Sequence, residues 1–226
     1  MMNTNETAAV TPGQRMLARR ALFGLAAAAA VTPAFATRAF ADPAPADAVA
    51  AIKTFNDALI AAMKSGKSQD FGRRFAALAP AVDRTFDLQA VLAVSVGPRW
   101  NTLPADQQAR LLDAFRRYTV ASYVANFNNY TGQSFIVSPD VRATGAGQVV
   151  VSSKLVPASG DPVEFGYVMR QTPQGWRVVD VLADGSISRV ATQRSDFRGL
   201  LASGGGDALL ASLQRKAADL SGGALA

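Results

Sequence analysis

The stretch PVEFGYVMRQTPQGWRVVDVLAD, residues 162–184, decides the fold of this chain. In its first run Val163, Phe165, Tyr167 and Met169 recur with a period of two while Glu164, Gly166 and Arg170 take the other face, the alternation of a half-buried strand. The second run, 176–182, is again β-branched and aromatic, and Pro173, Gln174 and Gly175 join the two as a turn. One wide, apolar, partly aromatic face results, and it needs a cover. Helical sequence lies on both sides of this block, so helices are available to close over it. The enclosed space is then either packed core or a ligand cavity.

Working outward, Ile52, Phe55, Leu59 and Met63 keep helical spacing over 48–63, and Ser65-Gly66-Lys67 ends that helix. A second helix is expected over 70–82 around Phe71, Phe75 and Leu78, and a short third over 88–96, stopped by Gly97-Pro98. Leu103-Pro104-Ala105-Asp106 opens the longest, 105–128, with Leu111, Leu112, Phe115, Tyr118, Tyr123 and Phe127 on a broad apolar arc. Strands are expected at 134–139, 148–156, 163–171 and 176–182, and helices at 192–202 and 207–220, split by Gly204-Gly205-Gly206. There is no internal repeat. The pattern predicts an α+β fold: a curved antiparallel sheet of about four strands covered by helices and enclosing an apolar cavity.

The N-terminus reads as a targeting segment. Arg15, Arg19 and Arg20 precede an apolar run too short to span a bilayer, and the small-x-small sites Ala34-Phe35-Ala36 and Ala39-Phe40-Ala41 follow. Cleavage after Ala41 is expected, giving a signal peptide at 1–41, with Arg19-Arg20 suiting twin-arginine export, and a single mature domain at 42–226. The formal charge of +6 falls to +3 without that segment, because it carries four of the 23 Lys and Arg and one of the 17 Asp and Glu. The remaining basic residues are scattered, with no basic stripe interleaved with aromatics, so nucleic acid is not an expected partner. An exported chain with no Cys carries no disulfide, which suits a periplasm.

The absence of His and Cys removes Ser-His-Asp and Cys-His catalysis and the usual zinc ligands. No catalytic residue, metal or cofactor is assigned. Gly66-Lys67-Ser68 matches the end of a phosphate-binding loop, but Ala61 stands where its first Gly belongs, so a helix stop explains it better. Gly204-Gly205-Gly206 before Asp207 reads as a glycine C-cap followed by an Asp N-cap rather than an anion cradle. Asp180 carries two readings. Simple alternation groups it with Trp176, Val178 and Leu182, where it is either a desolvated base acting on an apolar substrate or a structural carboxylate paired with Arg84, Arg99 or Arg177. The structural role is the more economical.

The pieces taken together resemble a known family. Trp100, Leu103-Pro104 with Gln107-Gln108, Phe115, Arg117-Tyr118, Tyr123, Phe127, Tyr130-Thr131-Gly132-Gln133, Gly160-Asp161-Pro162-Val163, Gly175-Trp176-Arg177-Val178-Val179-Asp180-Val181, Gly185-Ser186-Ile187-Ser188, Phe197 and Gly206-Asp207-Ala208-Leu209 carry the likeness. It is to the MlaC/Ttg2D family, the periplasmic phospholipid-binding component of the Mla pathway. The Asn-Tyr-Thr-Gly-Gln turn at 129–133 and the Asp-Gly-Ser-Ile-Ser ending at 184–188 resemble its hopanoid-associated branch, HpnM. The resemblance implies a periplasmic carrier, not an enzyme, that holds a membrane lipid, phospholipid or hopanoid, by its hydrocarbon. It also implies meetings with an inner-membrane ABC transporter complex and an outer-membrane lipoprotein complex. For large apolar side chains on converging faces, the expected lipid-binding residues are Phe86, Leu92, Trp100, Phe115, Tyr118, Phe127, Phe165, Tyr167 and Met169. Two other readings stand beside the carrier: a cavity enzyme with Asp180 as base, and a structural subunit with a filled core.

Overall fold

The computed structural model describes residues 45–225, and the expected leader at 1–41 lies outside the described residues. Helix α1 (Pro45–Ser65) buries Ala48, Val49, Ile52, Phe55, Leu59 and Met63, one stripe at i+3 and i+4 spacing. Helix α2 (Phe71–Thr85) starts where the Asp70 carboxylate accepts the backbone N–H of Arg73 at 2.8 Å. Helix α3 (Leu88–Val96) starts in the same way, Asp87 accepting the N–H of Ala90 at 3.0 Å, and it ends at Gly97. A 3₁₀ turn (Gly97–Thr102) then leads to helix α4 (Ala105–Asn126). Arg116 of α4 grips Asp83 of α2 through two bonds of 2.8 and 2.6 Å, which sets these helices side by side.

The sheet is an open antiparallel meander, β1 (Ser134–Gly145), β2 (Gln148–Val156), β3 (Val163–Thr172), β4 (Gly175–Ala183) and a two-residue β5 (Ile187–Ser188), in sequential order. Strand β1 runs past the expected stop at Pro139. It does so because it is an edge strand, where a missing N–H costs no ladder bond, and its register shifts between Val137 and Val141. The β3–β4 hairpin closes on Pro173-Gln174, with the Thr172 hydroxyl donating to the Gly175 carbonyl at 2.8 Å.

One irregularity places the site. Met169 pairs with Val178 but Val168 pairs with Asp180, so Val179 is an extra residue in β4 and the alternation slips by one. The side chains facing the helices beside Tyr167 and Phe165 are therefore Val181 and Ala183. Asp180 and Leu182 are displaced from the face that simple alternation gives them.

Helix α5 (Arg189–Leu220) starts earlier than expected, with Ser188 capping the N–H of Ala191 at 2.9 Å. Non-helical backbone at Gly204 and Gly205, with φ of +62° at Gly205, divides it into two helices where the triple glycine predicts the split. A Cβ on Gly206 would lie 2.5 Å from the end of the Gln107 side chain, so a larger residue here would push that amide aside. Asp207 accepts from Gln107 Nε2 at 2.9 Å instead of serving as the expected helix cap. The core centres on Phe55, fully buried, whose ring meets those of Phe86, Tyr123 and Tyr167 edge-on at 5.3, 5.2 and 6.3 Å.

Candidate functional site

Beneath the inner face of β3 and β4 lies a cavity of about 420 Å³. The sheet contributes Phe165, Tyr167, Val181 and Ala183, and α4 contributes Phe115, Thr119, Ser122, Tyr123 and Asn126, followed by Phe127. Phe86, Leu88 and Val91 close it from the start of α3, and Arg189, Val190 and Gln193 from the start of α5. The α4 residues form one stripe, since steps of four, three and four residues stay on one helical face. Aromatic rings give the walls their shape: Tyr123 stacks on Phe127 at 6.0 Å and Phe165 leans on Tyr167 at 6.4 Å. Polar groups gather at Thr119, Ser122, Asn126, Arg189 and Gln193, with Asn126 and Arg189 exposed, so the cavity has a wet edge and an apolar interior.

Asp180 borders this space without an ion pair to Arg84, Arg99 or Arg177. Its Oδ1 accepts the backbone N–H groups of Val181 at 2.7 Å and Val190 at 3.0 Å, and its Oδ2 accepts the Ser188 hydroxyl at 2.5 Å. The carboxylate thus ties β4 to the first turn of α5, where a negative charge also suits the helix dipole. Arg177 and Arg99 are engaged elsewhere, donating to the carbonyls of Asp83 and Leu201. These bonds give Asp180 a structural role, with partners different from those expected.

Of the nine residues expected at the cavity, Phe86, Phe115, Phe127, Phe165 and Tyr167 come together around it. The other four lie off it. Leu92 is fully buried in the core, because α3 turns Leu88 and Val91 toward the cavity instead. Trp100 packs into the core from the 3₁₀ turn, its carbonyl taking the amide of Gln108 at 3.0 Å. Tyr118 sits beside the cavity stripe, turned toward α5, with Lys216 Nζ 5.7 Å from its ring centre. Met169 shares the face of Tyr167 but lies one pair further along, fully buried opposite Val178.

Sequence reasoning left out Tyr123 and the small polar residues Thr119 and Ser122. The signal for Tyr123 was present, since it stands four residues before Phe127 on the same helical face. Burial pushes the phenols of both Tyr123 and Tyr167 well above their ordinary value of 10.0, opposed at Tyr123 by the charge of Arg189. A group whose folded pKa is raised stabilises the fold below its unfolded pKa and loses that contribution as pH rises past it. Stability should therefore fall above pH 10, by up to about 1.4 kcal/mol per pH unit for each of the two. Melting temperatures measured from pH 8 to pH 11 should decline less steeply in Tyr123→Phe/Tyr167→Phe than in the unaltered protein, and parallel declines would refute this.

Fold and site together define a class: an open antiparallel sheet and helices enclosing a ligand-sized apolar cavity. Among the described residues no cluster of acidic side chains is placed to hold a metal, and no helix is long and apolar enough to cross a membrane. The chain belongs to the MlaC protein family, whose model matches residues 53–215. Among solved structures it is similar to the phospholipid-binding protein from Ralstonia solanacearum, determined in complex with a phospholipid. Identity is 23%, the match covers 77% of this chain and 98% of that one, and the TM-score is 0.67. No curated protein matches.

Proposed function

We propose that this protein is a periplasmic carrier of membrane phospholipid, working between membranes in an Mla-type transport system. The cavity carries this reading. At ~30 Å³ for a methylene, about the share of one water molecule in the liquid, 420 Å³ takes roughly 14 methylenes, one acyl chain or the inner parts of two. At about 0.8 kcal/mol each, that filling gains roughly 11 kcal/mol gross before ordering and association costs. Arg189, the only cation on the lining among the described residues, stands exposed at the polar edge, where a lipid phosphate left in water would meet it. Family membership and the phospholipid in the related Ralstonia solanacearum structure support the same ligand class. Export by the leader at 1–41, and docking to an inner-membrane ABC transporter and an outer-membrane lipoprotein complex, complete the proposal.

The carrier needs no catalytic group, and Asp180 supplies the test. Asp180→Asn keeps an acceptor for the Val190 N–H but loses the charge at the start of α5, so about 1 kcal/mol of stability should go while transfer of labelled phospholipid between vesicles continues at a similar rate. A folded variant that held lipid but lost a chemical conversion of it would establish the enzyme reading instead.

A further inference from the structure

We infer that Tyr123 and Tyr167 form a pair of hydrogen-bond donors inside the cavity that take the ester carbonyls of an acyl lipid, so that the site selects ester-linked lipids over hydrocarbon of similar shape. This rests on the carrier reading and narrows its ligand. Both residues line the cavity, and Tyr167 is only 2% exposed. Among the described residues, neither hydroxyl has a hydrogen-bond partner in the protein, although nearby Ser122 and Ser188 hydroxyls are both satisfied. Neither hydroxyl is among the side-chain atoms buried without a partner, so both stay accessible beside the cavity their residues line. Both rings rest edge-on against Phe55, which fixes them as a pair.

The surroundings fit an ester in sequence. The charge of Arg189 reaches Tyr123, and Tyr123 and Tyr167 lie close enough for their charges to interact. Phenols are protonated at neutral pH and burial moves these two further in that direction, so both are donors. The rest of the wall includes the apolar side chains of Phe86, Leu88, Val91 and Phe115. The cavity thus offers a cation exposed to water, two neutral donors and hydrocarbon surface. A glycerophospholipid presents the matching groups: phosphate, ester carbonyls and acyl chain. A hopane skeleton has no carbonyl to offer the donors.

The test compares dipalmitoyl phosphatidylethanolamine with its di-O-hexadecyl analogue, whose ether oxygens are much weaker acceptors. Each is presented in vesicles to the lipid-stripped full chain, and bound lipid is counted by mass spectrometry. The unaltered protein should retain the ester lipid roughly 3- to 10-fold better, the worth of one net buried hydrogen bond. Tyr123→Phe/Tyr167→Phe should bind the two equally while still binding both. Equal retention by the unaltered protein would overturn the inference with no variant needed, and so would a preference that survives in the double variant. Retention of neither lipid would instead bring down the carrier reading, and the inference with it.

Discussion

Val181→Trp should strip the purified protein of its lipid, by ten-fold or more, and leave its melting temperature within a few degrees of the parent. Val181 stands opposite Tyr167 on the inner face of the sheet, so an indole there projects into the 420 Å³ space that an acyl chain would take. The added bulk has room to enter and therefore competes with ligand rather than with packed protein. Were the site filled core, the same enlargement would force neighbouring side chains off their rotamers and cost about 1 to 3 kcal/mol. Lipid content and thermal unfolding, measured on one preparation, separate the outcomes. Unchanged lipid with marked destabilisation would contradict the cavity assigned to this face.

Phe55→Ala should do the reverse and damage the frame. Phe55 is fully buried on α1 and touches Phe86, Tyr123 and Tyr167, so one ring joins the first helix to α4, the sheet and the approach to α3. Truncating a buried phenylalanine costs about 3 to 5 kcal/mol. For a domain of this size that is a fall of roughly 10 °C or more in melting temperature. Loss of this ring also frees the rings of Tyr123 and Tyr167, so lipid retention should fall with stability. A melting temperature lowered by less than about 3 °C would show that the three elements are held by other contacts.

The fold was legible where local chemistry and periodicity agreed. The helical spacing of Ile52, Phe55 and Leu59 specified α1, and the alternation of Phe165, Tyr167 and Met169, closed by Pro173-Gln174, specified the hairpin. The bulge at Val179 left no such mark. One extra residue inside an apolar run reads as ordinary β sequence, yet it reverses the faces of everything after it and moves Asp180 from a presumed inward position to the start of α5. Strand β5 was equally silent, because two residues carry no period.

The site was half legible for a related reason. Large apolar side chains identify faces that need burial, but packed core and cavity wall demand the same side chains, which is why Leu92 and Met169 looked like Phe165. On α4 the decision turned on one residue of helical phase. The stripe through Phe115, Thr119 and Tyr123 faces the cavity while Tyr118 faces α5, and the small polar residues on that stripe gave no hydrophobic signal. Arg189 has its place only because α5 begins three residues earlier than its periodicity suggests.

Native mass spectrometry of the protein isolated from the periplasm tests the central claim most directly. The account predicts one dominant species heavier than the processed polypeptide by the mass of a single glycerophospholipid, released as that lipid on collisional activation. A spectrum showing only the bare polypeptide, from material that is folded by circular dichroism, would contradict it.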